Sequence, residues 1–348
     1  MLAMTFADLR FRSRQFLICT FGVGVILALA LALSGLAAGF RAEVNGTVGG
    51  VGATSWVLSK SANGRVSAFA VFPELEALVV QNEPGAKKAA PLLLLPVQVA
   101  HVGGVVTTVN VMGVLPGRLG DPTVVSGHGL HGPSDVVVDN RIKTSVGDVI
   151  VLGGHDFHVV GSVVNRSLVG GIPMVYMALA SAQRLATDGQ PLITAVATTG
   201  TPRHLPHGLV AYSTAQVEQS TVGQLGAAAE SVDNTRWLMW AVAVIIVGSS
   251  LYVSALERRR DFAVLKALGS SSGMLFGSLL LEALVVTLVA TVFAELVANV
   301  MSSLFSQPVD ITSSARAALP IAAVLVGMVA SFSALRRVTS ADPAGAFG

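Results

Sequence analysis

From Phe16 to Phe40 the chain runs 25 residues without one charged side chain. A helix of roughly 20 apolar residues spans a bilayer core, and the free energy of that many buried apolar side chains leaves few other places for such a run. Three further blocks repeat the feature: Trp237–Leu256, Met274–Met301 and Ala317–Leu335. Composition agrees, since 52% of residues are hydrophobic, 12% are charged and the mean hydropathy is +0.69, a membrane-protein profile. The first run follows Arg10, Arg12 and Arg14 and ends near Ala37-Ala38-Gly39, features a secretory signal shares. Its apolar length exceeds a signal core of about 7–15 residues, so it reads as an anchor.

The expected fold class is an integral membrane α-helical protein with four transmembrane helices and an α+β extracytoplasmic domain between helices one and two. Basic residues flank the spans as Arg10, Arg12 and Arg14, then Arg258, Arg259, Arg260 and Lys266, then Arg336 and Arg337, whereas Ser302–Arg316 holds a single one. Basic residues beside spans stay cytoplasmic. The expected order is therefore 1–40 cytoplasmic N-terminus and span one, 41–236 outer domain with a helical stalk, 237–256 span two, and 257–273 a cytoplasmic segment. Then come 274–301 span three, 302–316 an outer loop, 317–335 span four, and 336–348 a cytoplasmic tail. Both termini face the cytoplasm. A net charge of +2 with no basic tract interleaved with aromatics speaks against nucleic acid as a partner. The single cysteine, Cys19, lies in span one, leaving the outer domain without a disulfide.

Nearly 200 residues lie between spans one and two, enough for a core of their own. Trp56-Val57-Leu58, Val66–Phe72, the β-branched stretch Val97–Leu115 and Leu192–Thr198 read as strands. Val149–Leu152, Gly153-Gly154 and Phe157–Val160 read as a hairpin. Helical spacing is seen over Pro73–Gln81, with Leu75, Leu78 and Val79 on one side, and over Met174–Ala186. From Thr214 to Arg236 no proline occurs, and Val217, Thr221, Leu225, Ala228 and Val232 recur every three or four residues, predicting a stalk that runs into span two.

Signs of catalysis are thin. All seven histidines (His101, His128, His131, His155, His158, His204, His207) fall in the outer domain, but no HExxH pattern gathers metal ligands. Ser126-Gly127-His128, near Asp121 and Asp135, lacks a nucleophile elbow and reads as a loop. None of the five lysines follows a glycine, so the chain has no P-loop and any ATPase is another chain. Glu282 stands inside span three, where an acid costs about 2.5–3.5 kcal/mol, a cost its leucine-rich flanks offset. It reads either as a relay for protons or substrate or, more plainly, as a packing residue turned toward another helix or water.

Between spans two and three, Glu257-Arg258-Arg259-Arg260 is adequate as a topology marker at anionic lipid. The next residues ask for more: Phe262, Leu265 and Leu268 share one face, Lys266 breaks the other, and Gly269 supplies a C-terminal cap. A short amphipathic helix with so few apolar anchors binds lipid weakly and suits a protein groove.

Glu257–Gly269, reading ERRRDFAVLKALG, with Leu279–Ala283, reading LLLEA, resembles the ERRREIxxLRALG…LLEA signature of the MacB/FtsX/LolC-type ABC transporter permeases, a mechanotransmission-type, FtsX-like family. Val136–Asp139, Val146–Ile150 and Val159–Gly161 resemble its periplasmic core, and Val175-Tyr176 with Ala182-Gln183 a later portion. Asp261 departs from the family's Glu, Ala290 and Ala294 stand where glycines are common in span three, and Asp342–Phe347 matches the terminal pattern in part. The resemblance implies a non-catalytic permease working as a homodimer with two ATP-binding ABC subunits. Glu257, Arg258, Arg259, Arg260, Asp261, Phe262, Leu265, Lys266, Leu268 and Gly269 would form the coupling helix docked on the ATPase. It implies no cofactor on this chain, with ATP and magnesium held by the partner, and a multi-pass place in a bacterial plasma or inner membrane. Implied too is motion of the outer domain that exports or extracts a substrate. The alternative is an FtsX-like signal transducer that regulates an extracellular cell-wall hydrolase. An extracytoplasmic adaptor or a hydrolase is the further partner these readings admit.

Overall fold

The computed structural model describes residues 13–168, 171–223, 226–257, 272–304 and 313–339. It divides into two units, Met1–Gly39 with Ala228–Gly348, and Phe40–Ala227. The chain opens with α1 (Ser13–Val48), whose range includes residues of both. Gly49-Gly50 ends it in a single 3-10 turn, closed by Gly52 at φ 76°. Glycine takes that left-handed conformation without the Cβ clash that other residues suffer.

Within Phe40–Ala227 the elements run β1 (Ser55–Ser59), β2 (Phe72–Pro73), α2 (Leu75–Gln81), β3 (Lys88–Leu94), β4 (Gln98–Val102) and β5 (Val105–Val114). Next come β6 (Ser126–Gly127), β7 (Asp135–Asp139), β8 (Val149–Leu152), β9 (His155–Val163), β10 (Ser167–Leu168) and β11 (Ile172–Ala178). The unit closes with α3 (Leu179–Thr187), β12 (Leu192–Ile193), β13 (Ala195–Thr199), β14 (Leu209–Ser213) and α4 (Thr214–Gly223). The expected hairpin is β8–β9, turned by Gly153 and Gly154 at φ 56° and 81°. Positive φ at both central residues matches the right-handed twist of the flanking strands.

Six strands close on themselves. β5 pairs antiparallel with β4, β4 with β8, and β8 with β9; β9 lies parallel to β7, β7 antiparallel to β11, and β11 parallel to the second half of β5. Closure satisfies backbone groups that an edge would leave open. From Leu93 and Leu94, which also pair with β5, the sheet continues through β3, β13, β1 and β14, all antiparallel. Several strands bury both faces. Val136, Val138, Val175 and Met177 belong to one hydrophobic core, while their neighbours Val137, Met174 and Tyr176 belong to a second with Trp56, Leu58 and Met112. Strands buried on both sides read as unbroken apolar runs.

That property explains where local pattern and structure part. Met174–Ala186, expected as a helix, is β11 up to Ala178 and then α3, because Met174–Ala178 pair with Asn110–Val114. A continuous apolar run carries no period to tell strand from helix. Val66–Phe72, expected as a strand, is irregular up to Val71 with a turn at Ala68-Phe69: Ala70 N donates to Ser67 O at 3.3 Å and Phe69 N to Ser67 Oγ at 3.4 Å. Serine's oxygens there offer the backbone an alternative to a ladder. α2 forms, but it buries Ala77 and Val80 rather than Leu75, Leu78 and Val79. Leu192–Thr198 is split at Thr194, whose hydroxyl accepts Leu94 N at 2.9 Å.

The other unit holds the first part of α1 with α5 (Gly226–Glu257), α6 (Ser272–Leu304) and α7 (Ser313–Thr339). Val23 and Leu27 of α1, Ala243 and Val247 of α5, Ala283, Ala290 and Ala294 of α6, and Leu319 and Ala323 of α7 form one core. Glycines of the neighbouring helices face Ala290 and Ala283. A Cβ on Gly24 would lie 3.2 Å from Ala290 O, and one on Gly327 3.6 Å from Ala283 Cβ. Small residues at such crossings let backbones meet closely. Among the described residues two helices, Leu17–Val51 and Leu280–Val300, are long and apolar enough to cross a membrane. α5 and α7 contribute the shorter apolar stretches Trp237–Ser249 and Arg316–Val329, so by this measure the expected count of four spans is met by two.

Candidate functional site

Of the predicted ATPase-docking residues, Glu257 ends α5. Arg258, Arg259, Arg260, Asp261, Phe262, Leu265, Lys266, Leu268 and Gly269 lie outside the described residues. Glu282 lies on α6, 1% exposed, followed by the buried Ala283, Val286 and Thr287. Burial inside the bundle removes the lipid exposure that makes an intramembrane acid costly. Of the stalk residues, Val217 is fully buried on α4, Leu225 lies outside the described residues, and Val232 falls within α5.

Val217 stands beside a site that periodicity did not reveal. Near the C-terminal end of α1, Glu43 is 4% exposed. Its Oε1 accepts from Arg141 Nη1 at 3.2 Å and from Ser167 Oγ at 2.9 Å, and its Oε2 accepts from Gly171 N at 3.1 Å. Arg141 Nη1 also donates to Ser167 Oγ at 2.9 Å. Asp139, fully buried at the end of β7, accepts Arg141 N at 3.0 Å and Arg166 N at 2.6 Å, with Arg141 Nε 3.9 Å away. Both buried carboxylates are tolerated because each is held by charge-assisted hydrogen bonds. The glycines of this helix end bring backbone against backbone. A Cβ on Gly46 would sit 3.1 Å from Asn165 O, and one on Gly50 would occupy the place of the Arg166 guanidinium.

α4 is rooted next to it. Ser213 and Gln216 form a reciprocal capping box, Gln216 N donating to Ser213 Oγ at 3.2 Å and Ser213 N to Gln216 Oε1 at 2.8 Å. Thr214 Oγ1 donates to Ala53 O at 2.7 Å. Val217 shares one core with Val44, Val48 and Val51 at the end of α1. Glu218 Oε1 would meet a Cβ on Gly49 at 3.1 Å, and desolvation by burial raises its carboxyl above the ordinary value. The end of α1 and the start of α4 are thus fastened to the same part of the outer domain, one by a polar clamp and both by a shared core.

Ser126, His128, His131, Asp121 and Asp135, considered above for a hydrolase or metal site, make local contacts. Ser126 lies in β6, paired with Ser162 of β9. His128 and His131 both place Nδ1 within 2.9 Å of Gly129 O, their rings 5.3 Å apart. For Asp135, desolvation works upward, but the N–H groups of Gly132 and His131, with His128 and His131 nearby, bring its carboxyl below the ordinary value. Asp121 accepts Gly117 N at 2.8 Å. Among the described residues no three His, Cys, Asp or Glu side chains group as metal ligands.

An α+β domain inserted after the first helix of a helical unit, with both connectors rooted in one core, defines a class of membrane protein that known relatives specify. Residues 16–203 match a family model described as the MacB-like periplasmic core domain, and residues 237–343 one described as the FtsX-like permease C-terminal region. The chain belongs to the MacB/FtsX-like family of ABC transporter permeases, and with that family it is a membrane protein. It is 36% identical over its whole length to the uncharacterized ABC transporter permease Rv0072 of Mycobacterium tuberculosis, covering 99% of that protein. A Mycobacterium bovis relative, the uncharacterized ABC transporter permease Mb2592, is 34% identical over the same extent. Among solved structures, the periplasmic region of MacB from Actinobacillus actinomycetemcomitans aligns with 51% of this chain and 96% of that one, at 13% identity and a TM-score of 0.36.

Proposed function

We propose that this chain is the transmembrane permease subunit of an ABC transporter and that it turns ATP hydrolysis by a separate ATPase into motion of its outer domain. The motion serves export or extraction of a substrate. The observation that carries the reading is the rooting of α1 and α4 in one core, with Glu43 clamped by Arg141, Ser167 and Gly171. A connector fastened through buried charge moves with the domain rather than sliding over it, since breaking such a pair costs several kcal/mol.

In this scheme four helices span the membrane, both termini are cytoplasmic, and the permease works as a homodimer with two ATP-binding subunits that hold the ATP and magnesium. Family membership supports the ATPase partner, and the long helices α5, α6 and α7 support the additional spans. Phe262, Leu265 and Leu268 dock on the ATPase. Replacing all three by Glu is expected to abolish co-purification of the ATPase with the full-length permease. Undiminished co-purification would overturn the docking assignment.

A further inference from the structure

Only the second half of β5 pairs on both sides; ahead of it β5 is one arm of a hairpin with β4. Gly103 and Gly104, at φ 53° and 82°, form a two-residue turn between the paired Val102 and Val105. Residues that close such a turn exchange both hydrogen bonds, and bonded residues then alternate along the ladder. Val105, Thr107 and Val109 therefore direct N–H and C=O toward β4, while Val106 and Thr108 direct theirs away. Further along the chain that outward side is taken by β11, which starts to pair at Asn110. Among the described residues no hydrogen bond reaches the four outward groups of Val106 and Thr108. The edge is open to solvent, Val105 being 66% and Val106 61% exposed.

Exposed edges are ordinarily guarded by charge, proline or a bulge. This one has none of them: Val97–Val114 contains no Asp, Glu, Lys, Arg or Pro, and the β4–β5 register runs without a shift. We propose that the edge receives an extended segment of a separate extracytoplasmic protein, which adds a strand beside Val105–Val109. The partner is a polypeptide because alternating donors and acceptors at the spacing of every second strand residue match another backbone, and five residues span about 17 Å. Its side chains meet Val105, Thr107 and the fully buried Val109 on one face, and Val106 and Thr108, backed by Val99 and His101, on the other. Neither face offers a charge, so the segment is uncharged and rich in β-branched residues. A second copy of the same edge does not fit. Antiparallel self-pairing over Val106 and Thr108 is centred on Thr107 and sets each copy's Gly104 opposite the other's Asn110, where Met174 already pairs. A single added strand brings no hairpin turn into that place.

The test uses the full chain in native membranes, with the photoreactive residue p-benzoylphenylalanine in place of Val106 or, as control, of Val125, which is 70% exposed away from this edge. Illumination is expected to link position 106 to one protein of a mass different from the permease's own, with the link mapped by mass spectrometry to an uncharged stretch of about five residues. Thr108→Pro removes an outward N–H without touching the bonds to β4, a substitution that sheet edges tolerate. It should lower the yield of the adduct about fivefold, as loss of one hydrogen bond does, whereas Thr108→Ala keeps the N–H and should keep the yield. Thermal unfolding checks that the Thr108→Pro chain is folded. Should it not be, the photoreactive residue at Thr108 combined with Val106→Pro asks the same question. An adduct no stronger than at Val125, an adduct at twice the chain mass, a link within a charged stretch, or equal losses in Thr108→Ala and Thr108→Pro would overturn the proposal.

Discussion

Glu43 ties the end of α1 to distant parts of the outer domain. Its carboxylate meets Arg141, Ser167 and the backbone of Gly171, partners 98 to 128 positions away in the chain. Glu43→Ala would leave the half-buried Arg141 guanidinium facing Asp139 at 3.9 Å as its remaining acid. Removing one partner of a buried pair typically costs about 3–5 kcal/mol, and the value here should fall near the lower figure because Asp139 stays. Thermal unfolding of the purified full-length variant measures it, and Glu43→Gln should recover part of the loss by still accepting from Ser167. No spacing rule finds this site, since its members do not recur within any window. Asp139 is visible in the VVVD stretch only as part of a family resemblance, not as the acceptor of two backbone amides. Glu282, by contrast, stands out in the sequence by its cost in lipid, and the fold supplies the buried setting that cost demands.

At the scale of elements, α4 shows how local chemistry and packing combine. Ser213 and Gln216 satisfy each other's backbone amides, and Val217 and Thr221 are buried one and two turns later. Ser213→Ala removes the oxygen that receives Gln216 N, and loss of a cap of this kind costs about 1 kcal/mol. The full chain should therefore unfold at a lower temperature while retaining its ATPase, and an unchanged midpoint would show that the cap is dispensable. The predicted stalk over Thr214–Arg236 is α4 and then α5, with 224 and 225 outside the described residues. The β8–β9 hairpin and β1 are legible for the same reason that the cap is: their signals lie within a few residues. β11 is not, because burial on both faces erases its alternation.

For the whole molecule, the outer domain's acids set an expected response to pH. Asp148 is held below the ordinary carboxylate value of 3.8 by Ser145 N–H and Thr144 Oγ1. Asp135 shifts in the same direction despite desolvation, through the backbone amides of Gly132 and His131 and the neighbouring imidazoles. A lowered folded value contributes stability that is complete above the unfolded value and is lost as pH falls through the folded one. These two acids should thus leave the unfolding midpoint unchanged between about pH 5 and 8, and lower it below about pH 4. Glu218 has the opposite sign: burial raises it, so its contribution is lost as pH rises through the folded value. A pH series on the full chain should show the acid limb flatten in Asp148→Asn, and an acid limb identical to the parent's would contradict the assignment.

The sequence by itself determined what local pattern can carry: apolar runs long enough for lipid, glycines at turns, caps, a family signature, and the absence of a P-loop. Each depends on residues close together in the chain, where spacing is a direct image of geometry. Only the tertiary structure decided that six strands close into a ring, that α2 turns its leucines outward, and that Glu43 finds Arg141. These depend on which distant segments meet, and that is set by the competition of all buried surfaces at once rather than by any one stretch of sequence.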